Sequence, residues 1–351
     1  MLRPAPVRLT ADVLPAIDAV RAAHDQVDPE GPVKVLFLAG AGRSGSTLID
    51  RLLGQFAGFV SIGELSWIME VGLRDNFLCG CGLKYHDCPF WIAVFDDAFG
   101  GMDTIDPIGM QRFWHENHLL RGANRYYFLT KPGRREFPTH AADVTAILEA
   151  LYRSIRKVSG ARVIVDTSKP QLTPILMRES KVVDLHVALL VRDPRAVAYS
   201  WATPKADPTR GEDAIQDRRP ITTSAAWWMA TNGLADQVRR EGREPNRRIR
   251  YEDFVEDPAG ELRALAAIVG EDVDADALFE ADGIPMVETH SVWGNPMRFE
   301  SRIHIKRDDR WRTAMPARDQ RVVEAMSWPL MRRYGYKLGA DATTSDAATS
   351  H

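Results

Sequence analysis

Residues 33–40 (VKVLFLAG) are apolar at nearly every position and rich in β-formers. A strand with one wet face alternates polar and apolar residues, so an unbroken apolar run predicts a strand buried on both faces, as in a parallel sheet. FVSIG (59–63), RVIVDTS (162–168) and DLHVALLVRD (184–193) read the same way, and RRIRYEDF (247–254) reads as a last strand. Between the strands the apolar spacing changes to that of helices. AGRSGSTLIDRLLGQF follows the first strand as a glycine-rich turn and an amphipathic helix. TAILEALYRSIRKVSG (145–160) is a helix stopping at Gly160, and SAAWWMATNGLADQVRR is a longer one. Asp193-Pro194 and Asp257-Pro258 each offer an acidic cap followed by proline at the first helical position. Strands alternating with helices predict an α/β fold, a parallel sheet flanked by helices. No repeat of fixed period interrupts the pattern.

Residues 64–140 break this rhythm. They hold Trp67, Trp91, Trp114, Tyr126, Tyr127 and all three cysteines with little periodicity, and read as a helical insertion over one face. Residues 1–30 read as a polar helix and linker, 31–338 as the main domain, and 339–351 as a low-complexity disordered tail. Residues 203–222, rich in proline and charge, read as a mobile loop. The 351 residues contain 45 Lys+Arg against 48 Asp+Glu, a net charge of −3. So balanced a chain has no global field for nucleic acid or an anionic membrane, and any anion site must be local. No apolar run reaches membrane-spanning length, and the N-terminal residues lack the apolar core of a signal peptide. A cytoplasmic location without stable membrane insertion is the expectation.

Gly40-Ala41-Gly42-Arg43-Ser44-Gly45-Ser46-Thr47 lies between a strand and a helix. Its spacing is that of a P-loop, with Ser46 where the lysine should stand. Glycines let backbone N–H groups converge on an anion, and the helix start adds its dipole. Phosphoryl transfer from a nucleoside triphosphate needs that lysine and Mg²⁺. Here the loop's one cation is Arg43, whose planar fork suits a terminal oxyanion group. A sulfuryl group carries less charge, so the loop points to sulfuryl transfer from an adenylyl donor. In Arg192-Asp-Pro-Arg-Ala-Val-Ala-Tyr-Ser200, Arg192 ends a strand and Ser200 lies in the second turn of the next helix. Both can reach an anion at the carboxyl edge of the sheet.

Strand–GRSGSTL–helix followed by R-D-P-R-x-x-x-x-S resembles the PAPS-dependent sulfotransferases, in particular their bacterial, carbohydrate and tyrosylprotein branches. IRYEDFVEDP (249–258) and GNPMRF (294–299) resemble further segments of that family, and the likeness spans roughly residues 33–336. It implies a P-loop-like sheet with the insertion covering the acceptor side. The donor would be 3′-phosphoadenosine-5′-phosphosulfate (PAPS) and the product PAP, with no metal. By the same resemblance Gly42, Arg43, Ser44, Gly45, Ser46 and Thr47 would hold the 5′-phosphosulfate, and Arg192 and Ser200 the 3′-phosphate. Tyr251 would lie near the nucleotide. The basic run Arg298, Arg302, Lys306, Arg307 and Arg310 would close over it, with Arg298 and Arg310 foremost.

An acceptor hydroxyl must lose a proton as it attacks sulfur. The K-T-H sequence that supplies a histidine base in the family's cytosolic branch is absent; the matching strand ends Val165-Asp166-Thr167-Ser168-Lys169. Glu64, at the end of FVSIG, matches the glutamate base of the tyrosylprotein branch, and Lys169 would bridge the leaving phosphate and the moving oxygens. The acceptor expected is a small molecule, a glycan or a lipid-linked compound. A P-loop kinase or nucleotidase using ATP and Mg²⁺ is the alternative, opposed by the missing loop lysine. A non-catalytic PAP-binding module is another, opposed by Arg43, Glu64 and Lys169 together.

Cys79, Cys81, His86 and Cys88 put four zinc-ligand types within ten residues. C-x-C is tighter than the usual structural zinc spacing, and no second pair follows. The stretch, like similar ones in sulfotransferase-like bacterial sequences, reads as part of the acceptor-side cover. Its thiols are left open as free, disulfide-bonded or metal-bound.

Overall fold

The computed structural model describes residues 20, 30–118, 130–133, 135, 141–169, 172–207, 209, 213–242, 245–279 and 283–339. Of the helix and linker expected over 1–30, only Val20 and Glu30 are among them. Tyr126, Tyr127 and the expected tail beyond Gly339 lie outside the described residues.

The apolar runs become β1 (Val33–Ala39), β2 (Phe59–Gly63), β3 (Val163–Asp166), β4 (Val183–Val191) and β5 (Arg247–Arg250). They form one sheet in the order β2-β3-β1-β4-β5, parallel throughout. β1 lies at the centre and is buried on both faces, as its composition requires. Val33 and Val35 enter one core, Leu36 and Leu38 the opposite one, and Phe37 and Ala39 a third with Leu189, Val191 and Trp228. The side-chain period of two is what sends neighbours to opposite layers.

Register fixes what emerges at the carboxyl edge. Phe37 and Gly63 both pair with Asp166, Ala39 pairs with Leu189, and Arg250 pairs with Val191. The next residues of each strand (the loop from Gly40, Glu64, Thr167 to Lys169, Arg192 and Tyr251) therefore leave the sheet at one level.

The glycine-rich loop opens α1 (Ser46–Leu53). After β2 the chain makes a 3₁₀ turn, Leu65–Trp67, running into a π-helical stretch, Ile68–Arg74. α2 (Pro89–Phe99) and α3 (Pro107–His118) follow and share a core with α4 (Ala142–Ser159) and one face of the sheet. α4 stops at Gly160 in the left-handed conformation. After α5 (Leu172–Met177), α6 (Pro194–Ala202) starts with the Asp193 carboxylate accepting from the Arg195 amide, and α7 (Ile221–Glu241) crosses beside it.

β5 is shorter than expected. It ends at Arg250, and Tyr251–Glu256 is helix α8, with Glu252 and Asp253 in its first turn where the helix dipole favours acids. α9 (Pro258–Ile268) is capped by Asp257 as its sequence predicts. A small antiparallel pair, β6 (Ile284–Pro285) and β7 (Arg302–Ile303), precedes α10 (Arg310–Ala314) and α11 (Ala317–Tyr334). No helix among the described residues is long and apolar enough to cross a membrane.

Candidate active site

The loop after β1 is curled by positive φ at Gly40 (135°), Arg43 (68°) and Gly45 (92°). Such a curl lets successive backbone N–H groups face one anion. Two glycines are dictated by space as well. A Cβ at Gly40 would lie 2.2 Å from the Leu190 carbonyl oxygen, and one at Gly45 would lie 2.5 Å from the Tyr251 ring. The curl is tied from within and from α7. Ser44 Oγ donates to the Ala41 carbonyl at 2.7 Å, and the Ala41 amide donates to Asn232 Oδ1 at 3.0 Å. Ser44 thus holds the loop's shape from a buried position, while Gly42, Arg43, Gly45, Ser46 and Thr47 line a cleft of about 920 Å³.

Cations converge on that cleft from four elements. The Arg43 guanidinium lies 4.6 Å over the Trp201 ring and donates to Gln216. Arg192 lies 4.6 Å over the Tyr251 ring, donates to the Arg43 carbonyl at 3.2 Å and pairs with Asp308 at 3.3 Å. Ser200 accepts from Lys205 Nζ at 3.0 Å. Lys169, leaving β3, places Nζ 2.6 Å from Ser46 Oγ, the hydroxyl that stands at the P-loop lysine position. Arg219 lies 4.0 Å over the same Trp201 ring. Burial pushes Arg43, Lys169 and Arg219 below their ordinary values. Burial, reinforced by Arg43 and Arg192, brings Lys205 down to about 8. Desolvated cations held this close together are a site built for a polyanion.

Carboxyls sit beneath Lys169. Glu64 Oε1 is 3.9 Å from Nζ, and Glu64 Oε2 accepts from Trp67 Nε1 at 3.1 Å. Asp166 accepts from the Tyr152 hydroxyl and from the Ser168 amide, each at 2.7 Å, and burial raises its pKa. Asp50 accepts from the Ser61 hydroxyl, and burial pushes it up to about 7. Asp50 escaped the sequence reading, although it lies four residues after Ser46 and so on the same face of α1.

Tyr251, Lys306, Arg307 and Arg310 line the cleft. Arg298 does not. It is 1% exposed and donates to the carbonyls of Leu78, Ser291 and Val292, so its guanidinium faces inward. Arg302 is exposed and donates to the Gly283 carbonyl beside β6. The stretch expected as a mobile loop contains a bridge between Ala206 and Ile215 and supplies Lys205, Gln216 and Arg219, which sequence reasoning missed. Nothing in the spacing of those residues marks them; the fold of the loop does. The far wall of the cleft is aromatic and apolar (Trp67, Val71, Phe77, Trp227 and Trp293), with Glu70 and Asp75 beside it. The three thiols form no disulfide: Cys79 and Cys81 each have Sγ 3.7 Å from Cys88 Sγ, against about 2.0 Å for a bonded pair.

No protein-family model matches the chain. In sequence it is similar to carbohydrate sulfotransferase 3 of Homo sapiens, 26% identical over 190 residues that cover 47% of this chain and 36% of that protein. The match thus spans about a third of that relative's length. In structure it is similar to the sulfotransferase domain of the Synechococcus PCC 7002 olefin synthase. There the TM-score is 0.50 and the identity 20%, over 90% of this chain and 98% of that one. A sulfotransferase domain from the curacin biosynthetic pathway superposes with TM-score 0.48 and 16% identity, over 88% of this chain and 99% of the other. The sheet with its flanking helices is the sulfotransferase fold.

Proposed function

We propose that this chain, kin to the PAPS-dependent sulfotransferases by sequence and fold, transfers the sulfuryl group of PAPS to a hydroxyl or amine of an acceptor and releases PAP. One observation carries the reading. Buried cations surround a glycine-rich curl whose lysine position is a serine, and that serine is met by an ammonium from another strand. In this reading Arg43 and the amides from Gly42 to Thr47 hold the 5′-phosphosulfate. Arg192, Ser200 and Lys205 hold the 3′-phosphate, Tyr251 and Arg310 flank the nucleotide, and Arg298 has no part in its binding.

The reaction is a displacement at sulfur. The acceptor oxygen or nitrogen forms the new bond to sulfur, and the bond from sulfur to the bridging phosphate oxygen breaks in line with it. Glu64 takes the acceptor's proton, steadied by the Trp67 indole. Lys169 and Arg43 meet the charge that grows on the sulfuryl oxygens and on the departing phosphate. The aromatic wall favours an acceptor with an apolar or sugar face, a small molecule, glycan or lipid-linked compound. Residues 31–338 form the catalytic domain, with 64–140 as its acceptor-side cover.

The test pairs binding with turnover. PAP and PAPS should raise the melting temperature of the purified chain more than ATP with Mg²⁺ does, because a ligand that binds only the folded form stabilises it. Labelled sulfate should pass from PAPS to members of an acceptor panel without added Mg²⁺. Stronger protection by ATP with Mg²⁺ would replace this reading with the kinase one.

A further inference from the structure

The fourth partner of the cysteine cluster is not His86, whose Nε2 bonds the Leu73 carbonyl at 3.0 Å. It is His290, some 200 residues away in sequence. His290 Nδ1 lies 3.4 Å from Cys88 Sγ and 3.8 Å from Cys79 Sγ. Cys88 Sγ lies 3.7 Å from both other sulfurs, and all four ligand atoms fall within 4.8 Å of one another. A tetrahedral zinc with bonds of about 2.3 Å to sulfur and about 2.0 Å to nitrogen has edges of about 3.8 Å between sulfurs and about 3.5 Å from sulfur to nitrogen. The two sulfur–sulfur edges at Cys88, 3.7 Å each, match the first value and the sulfur–nitrogen distances of 3.4 and 3.8 Å straddle the second, whereas a disulfide would need about 2.0 Å. We infer that Cys79, Cys81, Cys88 and His290 form a structural zinc site that fastens the acceptor-side cover to the wall of the cleft.

The surroundings are built for such a site. The tight C-G-C spacing has a steric cause: a Cβ at Gly80 would lie 2.5 Å from Ser291 Oγ and 2.6 Å from the Thr289 carbonyl oxygen. Only glycine fits between the two cysteines here, where the Gly80 amide donates to the Ser291 carbonyl at 3.1 Å beside His290. The imidazole is held in place, stacked on Phe90 with centroids 4.5 Å apart and planes 3° from parallel, while Trp91 Nε1 donates to the His290 carbonyl at 3.0 Å. Three thiolates with one divalent ion leave a unit negative charge. Arg298, buried beside them and bonded to neutral carbonyls, supplies the matching positive one. This gives the misplaced arginine a reason to be buried. Each thiol would give up its proton to solvent as the metal binds.

The placement says what the metal would do. From His290 the chain runs directly into the cleft. The Val292 amide donates to the Ile62 carbonyl at 2.7 Å, Trp293 and Gly294 line the wall, and the Asn295 amide donates to Thr47 Oγ1 at 3.3 Å. The site therefore anchors one segment that touches both the donor loop and the acceptor wall. The metal site itself stands on the four ligand atoms and not on the sulfotransferase reading; only the names donor loop and acceptor wall come from that reading.

The full chain, expressed in zinc-supplemented medium, should carry about one zinc per molecule by elemental analysis. Its thiols should resist a disulfide reagent until a mercurial releases the metal to a colorimetric chelator. Cobalt exchanged into the chain should show the intense visible bands of tetrahedral coordination and a sulfur-to-cobalt charge-transfer band. His290→Ala should lose the metal. His290→Cys should keep it and strengthen the charge-transfer band, so the proposal stays testable if His290→Ala does not fold. Metal-free protein with three reactive thiols, a disulfide seen as the loss of two hydrogens by mass, or an octahedral cobalt spectrum overturns the inference.

Discussion

Replacing Lys169 by methionine removes a charge and little volume. The ammonium is mostly buried, 2.6 Å from Ser46 Oγ and 3.9 Å from Glu64 Oε1. Two unit charges about 4 Å apart are worth about 4 kcal/mol at an effective dielectric constant of about 20. That bounds what Lys169 can offer sulfuryl oxygens seated on the same loop. Loss of one preorganised donor at a developing charge costs about 10²–10³ in kcat. Lys169→Met should therefore lower kcat with PAPS by that factor in single-turnover assays, while the Kd for PAP changes less than about tenfold. A second readout separates this role from mere support. Lys169 holds down the carboxyls of Asp50 and Asp166, which burial raises. Without it they should titrate higher, and the acid limb of the residual pH–rate profile should move up. A kcat within about tenfold of the parent, or a loss appearing wholly in PAP affinity, refutes the assignment.

Glu64→Gln should reduce turnover by about 10²–10⁴ with PAP binding intact, and near-parental turnover would take the base role away from it. Lys205, brought to about 8, should lose its charge as the pH rises through that value, so PAP affinity should weaken above about pH 8. Lys205→Met should bind PAP weakly and with a flat pH dependence; identical slopes for both proteins would disprove the coupling. Gly45→Ala forces a Cβ to within 2.5 Å of the Tyr251 ring at a φ of 92°, and should cost about 1–3 kcal/mol and most PAP binding, read by thermal melts with and without PAP. For Asp50 the folded value of about 7 lies above the ordinary 3.8, so the folded chain binds the extra proton. Its contribution is complete below about pH 4 and lost as the pH rises to about 7, up to about 4 kcal/mol. Asp50→Asn should flatten that part of the stability profile in denaturant titrations, and parallel curves would rule the shift out.

The strands and the loop were legible because their signals are local. β1 announces itself by apolar residues on both faces, and the positive φ at Gly40 and Gly45 and the Asp193 cap belong to local turns, although Leu190 and Tyr251 also close the space at the two glycines. What the sequence hid depends on distant partners. The alternation of RRIRYEDF runs on past Arg250, yet the chain turns into a helix there and places the Tyr251 ring against Gly45 and Arg192. A basic run shows its charge but not its direction, so Arg298 read as a cation closing over the nucleotide although its guanidinium points into a nest of carbonyls. His290 could not be grouped with Cys79, Cys81 and Cys88 before the fold brought the segments together. Lys205 and Arg219 lay in a stretch whose proline and charge content conceals its role as a wall.

The serine in place of the loop lysine gains its meaning from where the ammonium went. A lysine within the loop would be committed to phosphate oxygens alone. Lys169, arriving from β3, touches the loop through Ser46 and lies beside Glu64, so in the proposed reaction one cation would serve both ends. While Glu64 is ionised, part of the ammonium's field is spent on the carboxylate. In the proposed reaction, Glu64 would become neutral on taking the acceptor's proton, and the whole field would fall on the sulfuryl oxygens and the departing phosphate. Proton transfer at one end would then strengthen charge stabilisation at the other, at the moment the bond to phosphate breaks. Carboxyls at Asp50 and Asp166 bear on the same lysine, since with Glu64 they act against the burial that lowers its pKa.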